Sequence, residues 1–166
     1  MTSLPLSILQ ERPEDAPSIE RLHERAFGPG RFARTAFRLR EGAASTPELC
    51  FTALVGTLLV GSIRLSPLQL GAAPGLLLGP LAVDPAFEGR GIGAALIGRS
   101  LEKARTGGHV LVLLVGDEPY YARFGFRRAP AALTLPAPVD PARLLLAELA
   151  EGAAAQAKGR VAPRRD

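Results

Sequence analysis

Three features of the sequence predict a mixed α/β fold. Residues 49–70 read as a hairpin of two strands broken at Gly56-Thr57. The run Leu76–Val83 is almost continuously apolar, the composition of a central strand covered on both faces. A glycine-rich loop follows it, and then an amphipathic helix over Gly91–Arg105 and a second apolar strand at Val110–Val115. The 166 residues suit one core of ordinary size, and 47% apolar with 22% charged residues is a globular, not a disordered, balance.

The remaining elements follow in chain order. Ser7–Gln10 is a short strand, and Asp15 offers an N-cap to a helix whose Ile19, Leu22 and Ala26 recur at spacings of three and four. Gly28-Pro29-Gly30 stops that helix. A second helical segment, Phe32–Arg40, puts Phe32, Ala33, Ala36, Phe37 and Leu39 on one broad face and Arg31, Arg34, Arg38 and Arg40 outward. Gly71–Gly75 is a turn. Gly79-Pro80 interrupts the central strand, and because proline cannot donate to the ladder, a bulge or a local splaying of two strands is expected there. Pro119–Phe124 is a short helix and ALTLP a short strand, whereas the run from Pro141 to Gln156 fits a helix by composition and a buried strand by density. The expected organisation is one domain over residues 1–152 and a basic, mobile tail over 153–166.

Composition excludes several function classes. The one cysteine, Cys50, rules out an internal disulfide framework and a cysteine-rich zinc site, and His23 and His109 lack ligand spacing, so no metal is expected. The N-terminal region has no basic segment followed by an apolar one and no run spans a bilayer, which predicts a cytoplasmic protein without membrane contact. The net charge of +4 does not mark a nucleic-acid binder. Residues 158–166 account for +3 of it, and aromatics make up 5% with no tryptophan, which leaves few stacking platforms.

Residues 81–104 carry the chemistry. An apolar strand runs into Asp84-Pro85, then into Gly89, Gly91 and Gly93, and then into a helix. Glycines let backbone approach a ligand, and the first amides of a helix have no intrahelical acceptor, so a phosphate or pyrophosphate fits there, with Arg90 available to add a charged contact. A Walker loop needs a lysine followed by serine or threonine, which the segment lacks. The dinucleotide fingerprint is met only loosely, by Gly89, Gly91 and Ala94, with no acidic residue at the required distance. A coenzyme A pyrophosphate loop is the third reading.

For that third reading the residues resemble a known family. Glu88-Gly89-Arg90-Gly91-Ile92-Gly93 is similar to the acetyl-CoA loop of the GCN5-related N-acetyltransferases, except at its first position, where the family has glutamine or arginine. Tyr121-Ala122-Arg123-Phe124-Gly125-Phe126 resembles that family's second signature, a tyrosine four residues before glycine-phenylalanine. The fuller string LLVGDEPYYARFGF and the late LLLAELAEGA resemble its YhbS-like branch, and the likeness covers most of residues 5–150.

The resemblance implies a mixed, mostly antiparallel sheet splayed into a V, with helices on both faces and acetyl-CoA in the opening. It assigns Leu81 and Val83 to the pantetheine arm and Gly89, Arg90, Gly91, Ile92, Gly93 and Ala94 to the pyrophosphate. Tyr121 is expected beside the thioester sulfur as the proton donor to the departing thiolate, with the Leu81 amide stabilising the oxyanion. Tyr120, one residue out of spacing, carries less of this expectation. The implied activity is transfer of acetyl from acetyl-CoA to a small-molecule or peptide amine in a ternary complex, by a monomer or homodimer. The alternative is a CoA-binding regulatory module that keeps the fold without catalysis. No base is evident; Glu118, Asp117, Glu24 and His23 are the candidates, each with a structural reading. Glu88 is expected to turn outward and pair with an arginine such as Arg90.

Overall fold

A computed structural model describes residues 5–28, 46–136 and 138–164. Among these the elements are β1 (Leu6–Gln10), α1 (Ala16–Phe27), β2 (Phe51–Val55), β3 (Leu58–Leu70), β4 (Ala73–Val83), α2 (Ile92–Thr106), β5 (Leu111–Val115), α3 (Glu118–Tyr121), β6 (Arg127–Arg128), β7 (Leu133–Thr134), β8 (Leu144–Glu148) and β9 (Gly159–Pro163). The helix expected over Phe32–Arg40 lies outside the described residues. No helix among them is long and apolar enough to cross a membrane.

The strands form a sheet in the order β1-β2-β3-β4-β5-β8-β6, antiparallel throughout except for the β4–β5 pair. β3 is long enough to serve two neighbours on one edge: β2 pairs with Leu58–Ile63, and β9 pairs with Leu68–Leu70. The break read at Gly79-Pro80 is a bulge. Ile63 faces Leu81 and Leu65 faces Leu78, so two residues of β4 stand against one of β3.

Both faces of the sheet are covered. On one, α2 lays Ile92, Leu96, Ile97 and Leu101 against Ile63, Leu65, Leu76, Leu78, Val112 and Leu114. On the other, Leu68, Leu77, Leu111, Leu113, Leu144 and Leu146 pack with Ala153, Ala157 and Val161, and α1 closes the adjacent end with Ile19 and Leu22 on Leu59 and Ala82. β5 and β8 therefore bury consecutive residues on alternating sides, which resolves Leu144–Glu148 as strand. Each fully buried leucine contributes about 1.5–3 kcal/mol relative to exposure.

Two expectations are corrected. Asp15 precedes α1 but does not cap it with its side chain; the carboxylate reaches back to accept from the Arg12 amide at 2.8 Å. Residues 153–164, expected as a mobile tail, form a 3-10 turn and strand β9, with Val161 fully buried between β3 and β7. Gly71 makes this docking possible: its amide donates to the Arg160 carbonyl at 2.9 Å, and a Cβ there would collide with the Lys158 backbone.

Gly61 sets the height of α2 over the sheet. A Cβ on it would stand 2.9 Å from Leu96 Cδ1, 3.0 Å from Ala53 Cβ and 3.1 Å from Ile92 Cγ2. Gly61→Ala is therefore expected to lose about 1–3 kcal/mol by overpacking. Gly98→Ala, on the open face of α2 with nothing within 4 Å, should gain about 0.5–1 kcal/mol from helix propensity. Urea midpoints check both; equal shifts would show that α2 does not bear on Gly61.

Candidate active site

The site begins with β4 losing its neighbour. β5 pairs with β4 only at Leu76–Val112 and Leu77–Leu113, although β4 continues to Val83 and β5 to Val115. Beyond the bulge the pairing with β3 fixes which peptide groups face the gap. The Asp84 amide donates to the Val60 carbonyl at 2.8 Å, so 60/84 stands in the hydrogen-bonded register, and by the two-residue alternation of antiparallel strands so does 62/82. Leu81 and Val83 belong to the other class of pair and turn their N–H and C=O away from β3, toward the side that β5 has left.

The loop after β4 is held from both ends. Asp84 Oδ1 accepts from the Ala86 amide at 2.9 Å, Oδ2 accepts from Arg25 Nε on α1 at 3.0 Å, and its carbonyl accepts from the Phe87 amide at 2.8 Å. Gly89 and Gly91 then both adopt φ of 78°, the left-handed region that favours glycine; space is not the reason, since nothing lies within 4 Å of either Cβ position. The first hydrogen bond within α2 runs from the Ala95 amide to the Gly91 carbonyl at 3.0 Å. The amides of Ile92, Gly93 and Ala94 therefore have no acceptor in the helix.

These parts enclose a cavity of about 490 Å³ lined by Leu81, Val83, Gly89, Gly91, Ile92, Gly93 and Ala94 from the strand and loop, with Phe87 and Glu88 beside them. The opposite wall is Tyr120 and Arg123. Of the predicted cofactor-binding residues only Arg90 is not on this lining; its guanidinium lies over the Phe87 ring, 5.0 Å from the centroid. The expected Glu88–Arg90 pair does not form among the described residues. Arg90, between two left-handed glycines, is directed onto Phe87, and Glu88 stays at the cavity.

The two tyrosines divide. Tyr121 packs into the wall, edge-on to Phe126 with centroids 5.9 Å apart, and is not on the cavity lining. Its ring occupies space that only a glycine leaves open, since a Cβ on Gly116 would stand 2.5 Å from Tyr121 Cε2. Gly125, at φ of 95°, turns the chain so that the fully buried Phe126 comes under Tyr121, a physical reason for the spacing of the second signature. Tyr120, by contrast, lines the cavity, its hydroxyl 3.2 Å from where a Cβ of Gly93 would be.

None of the four base candidates lines the cavity. Asp117 pairs with Arg143 at 2.5 Å and Glu118 with Arg128 at 3.8 Å; His23 is on the buried face of α1 with its ring against Phe27, and the Glu24 carbonyl accepts the Gly28 amide at the end of that helix. Cys50 is buried, with Sγ directed at the Thr46 carbonyl.

The sequence pattern of the Acetyltransferase (GNAT) family matches residues 16–126, two thirds of the chain and the whole of this site. The chain belongs to the GNAT acetyltransferase family. It is 33% identical over 121 residues to the N-acetyltransferase YhbS of Escherichia coli (strain K12), covering 72% of each chain. The crystal structure of Escherichia coli YhbS in complex with CoA superposes with a TM-score of 0.84 at 28% identity, over 99% of this chain and 92% of that one. A GNAT family acetyltransferase from Brucella melitensis in complex with acetyl-CoA superposes with a TM-score of 0.73 at 28% identity, over 96% of each chain. The splayed sheet expected from the two motifs is thus the fold of this GNAT chain.

Asp84 joins the GNAT loop to α1, which makes its contribution measurable. Asp84→Ala, losing the cap and the ion pair, is expected to cost about 1–2 kcal/mol. Asp84→Asn keeps an oxygen for the Ala86 amide and loses only the pair with the half-exposed Arg25, less than about 1 kcal/mol. Equal losses in denaturant titrations would assign the effect to charge and not to the cap.

Proposed function

We propose that this GNAT chain transfers an acetyl group from acetyl-CoA to the primary amine of a small molecule or peptide, directly and in a ternary complex. The observation that carries the reading is the run of peptide groups along Leu81 and Val83, turned away from β3 and without a strand partner among the described residues, that leads to the amides of Ile92, Gly93 and Ala94 in one cavity. An extended arm with amide groups fits the strand, and a diphosphate fits the helix end, where N–H groups and the helix dipole favour negative charge. The CoA and acetyl-CoA complexes of the Escherichia coli and Brucella melitensis relatives support the same occupant.

In this reading the amine nitrogen attacks the thioester carbonyl, the new C–N bond forms, and charge collects on oxygen. The Leu81 N–H, turned away from β3, is the donor for that oxyanion. The C–S bond then breaks and the thiolate takes a proton from the Tyr121 phenol, the donor that the second signature implies although its ring packs into the wall; the phenolate regains a proton from solvent, while the proton lost by the amine leaves to water or a base carried by the acceptor side. Tyr120, whose hydroxyl stands at the cavity, is the second candidate for the donor.

Acetyl-CoA at 100 times its dissociation constant should stabilise the protein by roughly 2.7 kcal/mol, read as a rise in Tm. Stabilisation by NADH or ATP and not by CoA would overturn the reading. With an accepted amine found by thiol release, Tyr121→Phe is expected to lower kcat by at least about 30-fold and to move the acetyl-CoA dissociation constant less than about threefold, because the phenolic proton is used as charge develops on sulfur. A larger loss in Tyr120→Phe would transfer the role to Tyr120. Tight CoA binding with no thiol released by any amine would favour the regulatory module.

A further inference from the structure

The cavity combines an anionic residue on its loop with a cation on the facing wall. At the first loop position, where the family resemblance leads one to expect glutamine or arginine, stands Glu88, and Arg90 lies against Phe87 and off the lining. The loop therefore offers backbone amides but no cationic side chain. Arg123 is the one cation among the described residues that line the cavity.

Among the described residues no acid forms an ion pair with Arg123. Asp117, just before α3, and Glu118, its first residue, face Arg143 and Arg128. Arg127 is occupied differently, donating to the carbonyls of Ala122 and Phe126 at 3.1 and 2.8 Å. Arg123 touches no carboxylate among the described residues. Its guanidinium lies over two rings instead, 4.6 Å from the Tyr120 centroid and 4.8 Å from that of Phe124. Stacking of this kind holds the planar group in place and leaves its edge N–H donors free, the arrangement suited to bidentate contact with a phosphate. The same Tyr120 puts its hydroxyl within 3.2 Å of the Gly93 Cβ position, so the wall that carries Arg123 closes directly onto the first turn of α2.

We propose that Arg123 is the diphosphate-binding cation of this site, and that it supplies from α3's side the positive charge that Glu88 withholds on the loop. The inference rests on the reading of the cavity as a CoA site and adds the residue that sets its affinity. The diphosphate, and not the ribose 3′-phosphate, is the choice because Arg123 and the amides of Ile92, Gly93 and Ala94 line one cavity, and the ring on which Arg123 stacks is the one whose hydroxyl approaches Gly93.

Isothermal titration of CoA and of 3′-dephospho-CoA tests this with the full chain and with Arg123→Gln and Arg123→Lys, with ligand-free unfolding curves to check the fold. Arg123→Gln is expected to weaken both ligands equally, by about tenfold, the loss of one charge-assisted phosphate contact. Arg123→Lys should recover part of the loss, keeping the charge without the stack. A loss confined to CoA would place Arg123 on the 3′-phosphate and overturn the assignment, as would unchanged affinity for both. Failure of the unaltered protein to bind either ligand would instead remove the CoA reading itself.

Discussion

The separation of β4 from β5 after Leu77 is the constraint on which the site depends. A central strand with one edge unpaired leaves peptide N–H and C=O groups without partners, a cost that is met either by water or by a ligand with matching groups. The bulge at Gly79-Pro80 sits where the separation starts, and proline there removes one donor that would otherwise need a partner. On the far edge β3 continues to pair without interruption from Ile63 to Gly61, so the orientation of Leu81 and Val83 is set by a full ladder on one side and by no strand among the described residues on the other. The strand can afford this because both of its faces are packed: α2 on one, α1 and the C-terminal segment on the other.

Much of this was legible in the sequence, for identifiable reasons. The hairpin at Gly56, the α2 helix and β5 were marked by apolar periodicity and density, and the break in β4 by the chemistry of proline. The strand β9 was not legible. Its anchors, Ala153, Ala157 and Val161, bury little area each, and its partner is the far end of β3, contacts that local pattern does not encode. The same limit applies to Asp15, whose type suits an N-cap but whose carboxylate meets the Arg12 amide first.

The site was legible in its backbone and less so in its side chains. Glycine spacing located the loop because positive φ at Gly89 and Gly91 is a local requirement. Which tyrosine meets the cavity is not local. α3 is a single turn, so Tyr120 and Tyr121 point in directions about 100° apart, following 3.6 residues per turn, and the absence of a side chain at Gly116 decides which of them turns into the wall. Arg123 was missed for a related reason: the signature names only the tyrosine and the glycine-phenylalanine, and only the arrangement of Tyr120, Phe124 and the nearby ion pairs shows that it stacks on two rings and meets no carboxylate among the described residues.

The division between backbone and side chain also accounts for Glu88. A site that recognises its ligand through peptide groups tolerates change in the side chains of the loop, because left-handed glycines on either side of Arg90 fix the path of the chain whatever the intervening residue is. A carboxylate at the loop's first position is then an electrostatic cost and not a structural one, since the amides it stands beside keep their geometry. Such a cost is offset by charge placed anywhere within a few ångström of the bound anion, and does not need to be offset on the loop itself. In the proposed CoA complex the wall that carries Tyr120 and Arg123 would supply that charge, and it stands close to the loop, with the Tyr120 hydroxyl 3.2 Å from where a Cβ of Gly93 would be.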